Sequence, residues 1–212
     1  MPSFTLPIST LFSNPVGFLR NLLISAPAIL IALTLHEVAH GLVAYRCGDP
    51  TAKRMGRLSL NPLRHLDPVG TLLLVFVGFG YAKPVPVNPA YFKKPRRDDL
   101  LVSIAGICMN LILFALFGTV FFWYINFAPD ALFNEYVYYF LYYCAQINAC
   151  LAVFNVLPLP PLDGYHIVND VLLLLIITGL LDKYIAFCVG DGGSGLWGGL
   201  FFIFKSVDER FI

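Results

Sequence analysis

Ile31-Ala32-Leu33-Thr34-Leu35-His36-Glu37-Val38-Ala39-His40-Gly41 places three ionisable groups within five residues of an otherwise apolar run. That run extends from about Asn21 to Tyr45, long enough to cross a bilayer, and ends in Arg46-Cys47-Gly48-Asp49-Pro50, where glycine and proline supply helix stop signals. On a helix, His36 and His40 are four residues apart and share a face. Two imidazoles can then grip one metal ion while Glu37, next to the first, reaches the metal-bound water. Apolar spans rarely tolerate such groups unless they line a polar cavity or work at a site. The stretch therefore predicts a membrane helix carrying a zinc-hydrolase signature, rather than two core histidines and a stray carboxylate.

Working outward, 58% of the 212 residues are hydrophobic and 13% charged, with a mean hydropathy of +0.74. These values exceed the range of soluble globular domains and imply an integral, multi-pass membrane protein. The first four residues, where a basic head would stand, contain no Lys or Arg, and no small-residue cleavage site follows a short apolar run, so the first span is expected to act as its own insertion signal. Cys47, Cys108, Cys144, Cys150 and Cys188 show no C-x-x-C spacing and read as packed thiols rather than disulfides or a second metal site.

Net charge is only +1, but ten of the fourteen Lys and Arg residues fall between Arg46 and Arg97. By the positive-inside rule this short connection is cytoplasmic. Nucleic acid is not an expected partner, because no aromatic platform or known binding module accompanies the basic cluster.

Beyond the first helix, an apolar run from Val69 to Tyr81 is too short to span, and Lys83-Pro84-Val85-Pro86-Val87-Asn88-Pro89 follows it. Further spans are expected at Leu100–Phe127, Tyr136–Leu157 and Val171–Val189, with a turn containing Asp130 and Glu135 outside and a short apolar piece at Leu196–Phe204. The Gly-rich stretch 190–199 lacks a following Lys-Ser/Thr and reads as a loop. The fold class is thus mainly α, a polytopic membrane helical bundle with a short re-entrant or β-hairpin segment after the first span.

A catalytic zinc needs three protein ligands and an open position for water. Glutamate occurs only at 37, 135 and 209, and the last two lie far from the motif in the expected topology. Asp163 is the best third ligand: it follows a proline-broken helix end, Pro158 to Gly164, which topology returns to the depth of His36 and His40. His166, three residues on, is the alternative. His65 reads as a loop histidine satisfied by its neighbours, with gating or transient ligation as the other possibility.

At this point the chain resembles the site-2 proteases, the intramembrane zinc metalloproteases of family M50, in a compact form without a PDZ or nucleotide-sensing domain. His36-Glu37-Val38-Ala39-His40 matches one family motif. Asn155-Val156-Leu157-Pro158-Leu159-Pro160-Pro161-Leu162-Asp163-Gly164 matches the other, N-x-x-P-x-x-x-L-D-G, at every fixed position. The resemblance implies one Zn2+ held by His36, His40 and Asp163, with Glu37 as catalytic carboxylate and Asn155 holding substrate or the developing oxyanion. Asn110 is carried over with less weight, since Gly106-Ile107-Cys108-Met109-Asn110 keeps the ends of the family's Gly-Pro-x-x-Asn but has Ile for Pro.

The resemblance further implies a single membrane-embedded metalloprotease domain over residues 1–212, with a catalytic core of about 20–170 and a C-terminal span of about 171–189. The expected activity is hydrolysis of peptide bonds in or near transmembrane segments of membrane proteins. The expected location is the cell membrane, with the active site toward the cytoplasm and an unidentified membrane partner as a possible regulator. A multipass metal-binding or metal-transport protein is the alternative, but it should show more than one intramembrane ligand cluster and has no use for a base at Glu37. Substrate is expected to unwind and pair as a strand with the extended Pro84–Asn88 segment, unless that segment is a rigid cover.

Overall fold

The computed structural model describes residues 11–77, 80–129, 132–177 and 179. The chain divides into two compact units, residues 1–168 and 169–212, and the first contains all the candidate site residues. Among the described residues the α-helices with defined bounds run in the order α1 (Pro15–Cys47), α2 (Thr51–Arg54), α3 (Pro68–Val77), α4 (Pro95–Phe127), α5 (Glu135–Val156) and α6 (Asp163–Ile177). Among the described residues, α1, α4 and α5 are long and apolar enough to cross a membrane. Each of these three packs against the other two.

Local signals explain where these helices begin and end. Asn14 accepts from the Gly17 N–H at 2.9 Å and Pro15 follows at the first helical position, so α1 begins before the expected Asn21. At its other end Gly48 takes φ +113°, which lets the Asp49 N–H reach the Ala44 carbonyl and the Gly48 N–H reach that of Tyr45. Pro95 likewise starts α4 before the expected Leu100. The Asn134 side chain accepts from the Tyr136 N–H at 2.8 Å and fixes the start of α5.

Small residues let the spans approach closely: Ala28, Ala32, Ala44, Cys144 and Ala152 are buried. So are Thr34, His36, Glu37, His40, Ser103, Asn110 and Asn148, an unusual polar content for a bundle whose outer surface shows many large apolar side chains. At the turn between α4 and α5 the aromatics gather. Trp123 packs on Phe127 (ring centroids 4.6 Å apart) and Tyr124 on Phe133 (5.7 Å), while the Tyr124 hydroxyl accepts from the Asn134 N–H at 2.6 Å.

The segment after α1 corrects the sequence expectation of a β-hairpin. The run from Pro68 to Val77 is a ten-residue helix, and among the described residues no strand forms; extended pairing shrinks to one antiparallel bridge, Leu66 with Ala82. The reason lies in Pro84 and Pro86, which have no N–H to continue a ladder. Glycines fold the short helix back on its return path, since a Cβ on Gly70 would lie 2.1 Å from the Tyr81 carbonyl oxygen. The expected fourth span begins as α6, described to Ile177. The rest of Val171–Val189, the Leu196–Phe204 piece, the Gly-rich stretch, Cys188 and Asp130 lie outside the described residues. Cys47, Cys108, Cys144 and Cys150 are free thiols.

Asp49 ties the connection together. Fully buried, it accepts from the Thr51 N–H at 2.9 Å, from the Thr51 hydroxyl and from the Asn88 N–H at 2.7 Å. Burial pushes its carboxyl up, but these donors and the Arg54 charge outweigh burial and hold it below its ordinary value. Its stabilisation is therefore complete above the usual aspartate range and is lost as pH falls through the depressed folded-state value. Asp49→Ala should cost about 1–3 kcal/mol near neutrality. Thermal unfolding in detergent at descending pH checks this: the gap between wild type and variant should narrow in acid.

Candidate metal centre

His36 and His40 stand one turn apart on α1 because the segment is helical, and both face α4 and the start of α6. His36 Nε2 and His40 Nε2 are 3.0 Å apart, and Asp163 Oδ2 lies 3.4 Å from the first and 3.3 Å from the second. Among the described residues these three form the one His/Cys/Asp/Glu group close enough to hold a metal ion, with their donor atoms all within 4.8 Å. Tetrahedral zinc with bonds of about 2.0–2.1 Å keeps its nitrogen and oxygen ligands roughly 3.3 Å apart, so the spacing fits. Asp163 Oδ2 is buried without a hydrogen-bond partner, as an oxygen reserved for a cation would be.

The surroundings fix how each ring presents itself. His40 Nδ1 is 2.7 Å from the Val102 carbonyl, which can only accept, so Nδ1 carries the proton and the Nε2 lone pair faces the cluster. His36 Nδ1 makes no hydrogen bond, and Gly106 and Asn110 lie near that ring. Gly106 is what lets α4 come so near. A Cβ there would lie 2.3 Å from His40 Nε2 and 2.5 Å from His36 Cε1.

Asp163 reaches the cluster through a compact turn. The Leu159 and Leu162 N–H groups bond back to Leu157 and Leu159 at 2.8 Å each, and α6 then starts at Asp163 itself. Gly164 brings this start against the end of α5, where any Cβ would lie 2.3 Å from the Val156 carbonyl oxygen. The Leu-Asp-Gly spacing thus has a steric cause.

Glu37 stands beside the cluster rather than within it. Its Oε2 accepts from the Val85 N–H at 2.8 Å. A cavity of about 780 Å³ opens on His36, Glu37, His40 and Asp163, and is otherwise lined largely by apolar groups such as Leu33, Val85, Leu151, Phe154 and Leu162. Asn155 lines it too, with its Nδ2 donating to the Leu151 carbonyl at 3.0 Å. Asn110 does not appear in that lining; it is fully buried, near His36.

His166 lines the cavity but lies outside the donor cluster, with its ring against Tyr165. His65 is almost wholly buried, with Nε2 2.9 Å from the Ser59 carbonyl, and is not in the cluster either. The 83–88 segment is extended, yet its Lys83, Val85 and Asn88 amides already donate to His65, Glu37 and Asp49. That pattern suits a cover over the site better than an open edge for strand pairing. Sequence reasoning passed over the roles of Val102, Gly106 and the Val85 amide. For Gly106 the signal was present in the Gly-x-x-x-Asn spacing; a backbone group leaves none.

Comparisons with known proteins bear on the family of the chain. The model of peptidase family M50 matches residues 24–128 and 124–177. The "Putative zinc metalloprotease YwhC" of Bacillus subtilis (strain 168) is 46% identical over 158 residues, covering 74% of this chain and 71% of that protein. A "Putative zinc metalloprotease Rip2" of Mycolicibacterium smegmatis is 29% identical over 72% of this chain, and one of Mycobacterium tuberculosis (strain ATCC 25618 / H37Rv) 32% identical over 64%. The matches span 58% and 52% of those two relatives, so this chain aligns with little more than half of their length. No solved structure matches. With both motif-bearing regions inside the matched residues, and the two histidines and the aspartate converging as described, the chain belongs to peptidase family M50.

Proposed function

We propose that this protein is an intramembrane zinc endopeptidase that hydrolyses peptide bonds in or near transmembrane segments of membrane proteins. The observation that carries the proposal is the convergence of His36, His40 and Asp163, with Glu37 beside them, on one cavity between apolar helices. In this reading the three are the ligands of one Zn2+, which when bound supplies Lewis acidity and an acidified water. Glu37 takes a proton from the attacking water and passes it to the leaving amide nitrogen. The second N–H of the Asn155 amide is the donor for the developing oxyanion. Asn110, buried near His36 and outside the cavity lining, supports that ligand instead of touching substrate, and the Val102 carbonyl orients His40.

The apolar lining suits a hydrophobic polypeptide arriving laterally from the bilayer. Cell-membrane location, an active site near the cytoplasmic face and regulation by a separate membrane partner belong to the same proposal, the orientation resting on the basic residues between Arg46 and Arg97. A transport pathway would need successive cation sites; the described residues hold one donor cluster and a base, which favours hydrolysis over transport.

Three outcomes test these assignments. Glu37→Gln should retain zinc and fold while losing cleavage of a model transmembrane substrate by several orders of magnitude, roughly 10²–10⁴-fold or more; retained cleavage refutes the mechanism. Asp163→Ala should strip zinc and His166→Ala should not, as measured by metal analysis of the purified protein. Gly106→Ala should weaken zinc binding about 10–100-fold, the scale of losses from disturbed ligand support, with helix content unchanged by circular dichroism.

A further inference from the structure

Arg57 stands apart from the other basic residues of the connection between α1 and α4. It is 8% exposed, whereas topology alone asks only that a positive charge lie on the correct side. A buried guanidinium needs compensation, and among the described residues the hydrogen bonds of its side chain run to one short stretch. Its Nη2 donates to the Lys83 carbonyl at 2.6 Å and to the Pro84 carbonyl at 3.2 Å.

The Pro84 carbonyl and the Val85 N–H belong to the same planar peptide group. Arg57 binds one end of that plane and Glu37 Oε2 accepts from the other at 2.8 Å. A positive donor on the carbonyl polarises the peptide and strengthens its N–H as a donor, so the two bonds support each other. Flanking prolines make the link unambiguous: Pro84 and Pro86 have no N–H, which leaves Val85 as the sole donor of the Pro-Val-Pro stretch. Arg57 itself is fixed by its N–H, which bonds the Ala52 carbonyl at 2.8 Å just after Gly56 turns at φ +65°. The Lys83 N–H, bonded to the His65 carbonyl at 2.8 Å, secures the other side.

We propose that Arg57 is a positioning residue for Glu37, acting through the peptide group between Pro84 and Val85. One carboxylate oxygen of Glu37 is held by the backbone, and the other is left to face the cavity. The inference rests on Glu37 being the general base; the linkage itself can be measured without that assumption.

With glutamate only at 37, 135 and 209, protein labelled with 13C at the glutamate carboxyl gives three carboxylate signals, and Glu37→Gln identifies that of Glu37. In zinc-loaded wild type and variants, Arg57→Met should move the Glu37 signal, leave that of Glu135 in place and leave zinc content unchanged. Arg57→Lys, whose single ammonium reaches the carbonyls with less purchase, should move it part of the way. Val85→Pro removes the N–H itself and should reproduce the full shift, with Arg57→Met adding nothing further on that background.

A Glu37 signal that stays at its wild-type position in both Arg57 variants overturns the proposal. So does a further shift when Arg57→Met is added to Val85→Pro. If Arg57→Met fails to fold, the partial shift in Arg57→Lys decides. With fluorescently labelled casein as an unfolded probe, Arg57→Met should lower kcat about 10–100-fold with KM nearly unchanged, and Arg57→Lys should recover part of the loss. A wild-type protein that binds zinc yet cleaves nothing would count against the peptidase reading, while the carboxylate signals would still decide the role of Arg57.

Discussion

Two imidazole nitrogens and a carboxylate oxygen at 3.0–3.4 Å, away from bulk water, repel one another unless a proton or cation lies between them. The rest of the structure is arranged around holding these donors together. Gly106 removes the side chain that would push α4 away, the Val102 carbonyl leaves His40 one possible ring orientation, and Gly164 seats the aspartate-bearing helix on the carbonyls that end α5. Each of the three long helices, or the turn leaving it, contributes to the arrangement. The site is therefore a property of the bundle and not of the His-Glu-x-x-His turn alone.

Much of this was legible in the sequence because helical periodicity and hydrophobic length are strong signals. The three spans and the pairing of His36 with His40 follow from local spacing, and Asp163 from the motif after a proline-broken helix end. The β-hairpin expectation failed because a dozen apolar residues between polar flanks suit a short helix as well as a strand. The prolines that looked extended also prevent a ladder. The starts of α1 and α4, each with proline at the first position, lie between one and two turns before the expected ones, since capping extends a helix beyond its apolar stretch. Asn110 could be picked out by its spacing from Gly106, but whether it lined the cavity or was buried outside it depended on how α1 and α4 pack.

The connection between α1 and α4 combines two kinds of charge that composition cannot separate. Lys53 and Arg64 bond at the surface, to the Tyr45 hydroxyl and the Gly56 carbonyl, whereas Arg57 is taken inside to hold backbone. A positive-inside count treats them alike. Only burial distinguishes a charge that reports orientation from one that shapes the molecule. The same connection carries the cover, whose prolines deny it a regular ladder while concentrating its donors at a few defined points.

The aromatic cluster at the α4–α5 turn also bears on depth. Trp and Tyr side chains settle at the boundary between headgroups and hydrocarbon, so Trp123 and Tyr124 anchor that end of the bundle. Gly106, against the histidines, is seventeen residues from Trp123 along α4, or about 26 Å at the helical rise of ~1.5 Å per residue. A hydrocarbon core is roughly 30 Å thick. On the proposed intramembrane reading that end is tethered, the histidines sit just inside the opposite boundary, and the acyl-chain length of the surrounding lipid sets how far. Thinner bilayers bring the cluster toward the water and thicker ones draw it under, within the few ångströms that tilt and local deformation absorb. Hydration of the cavity is then partly a property of the membrane in which the protein resides.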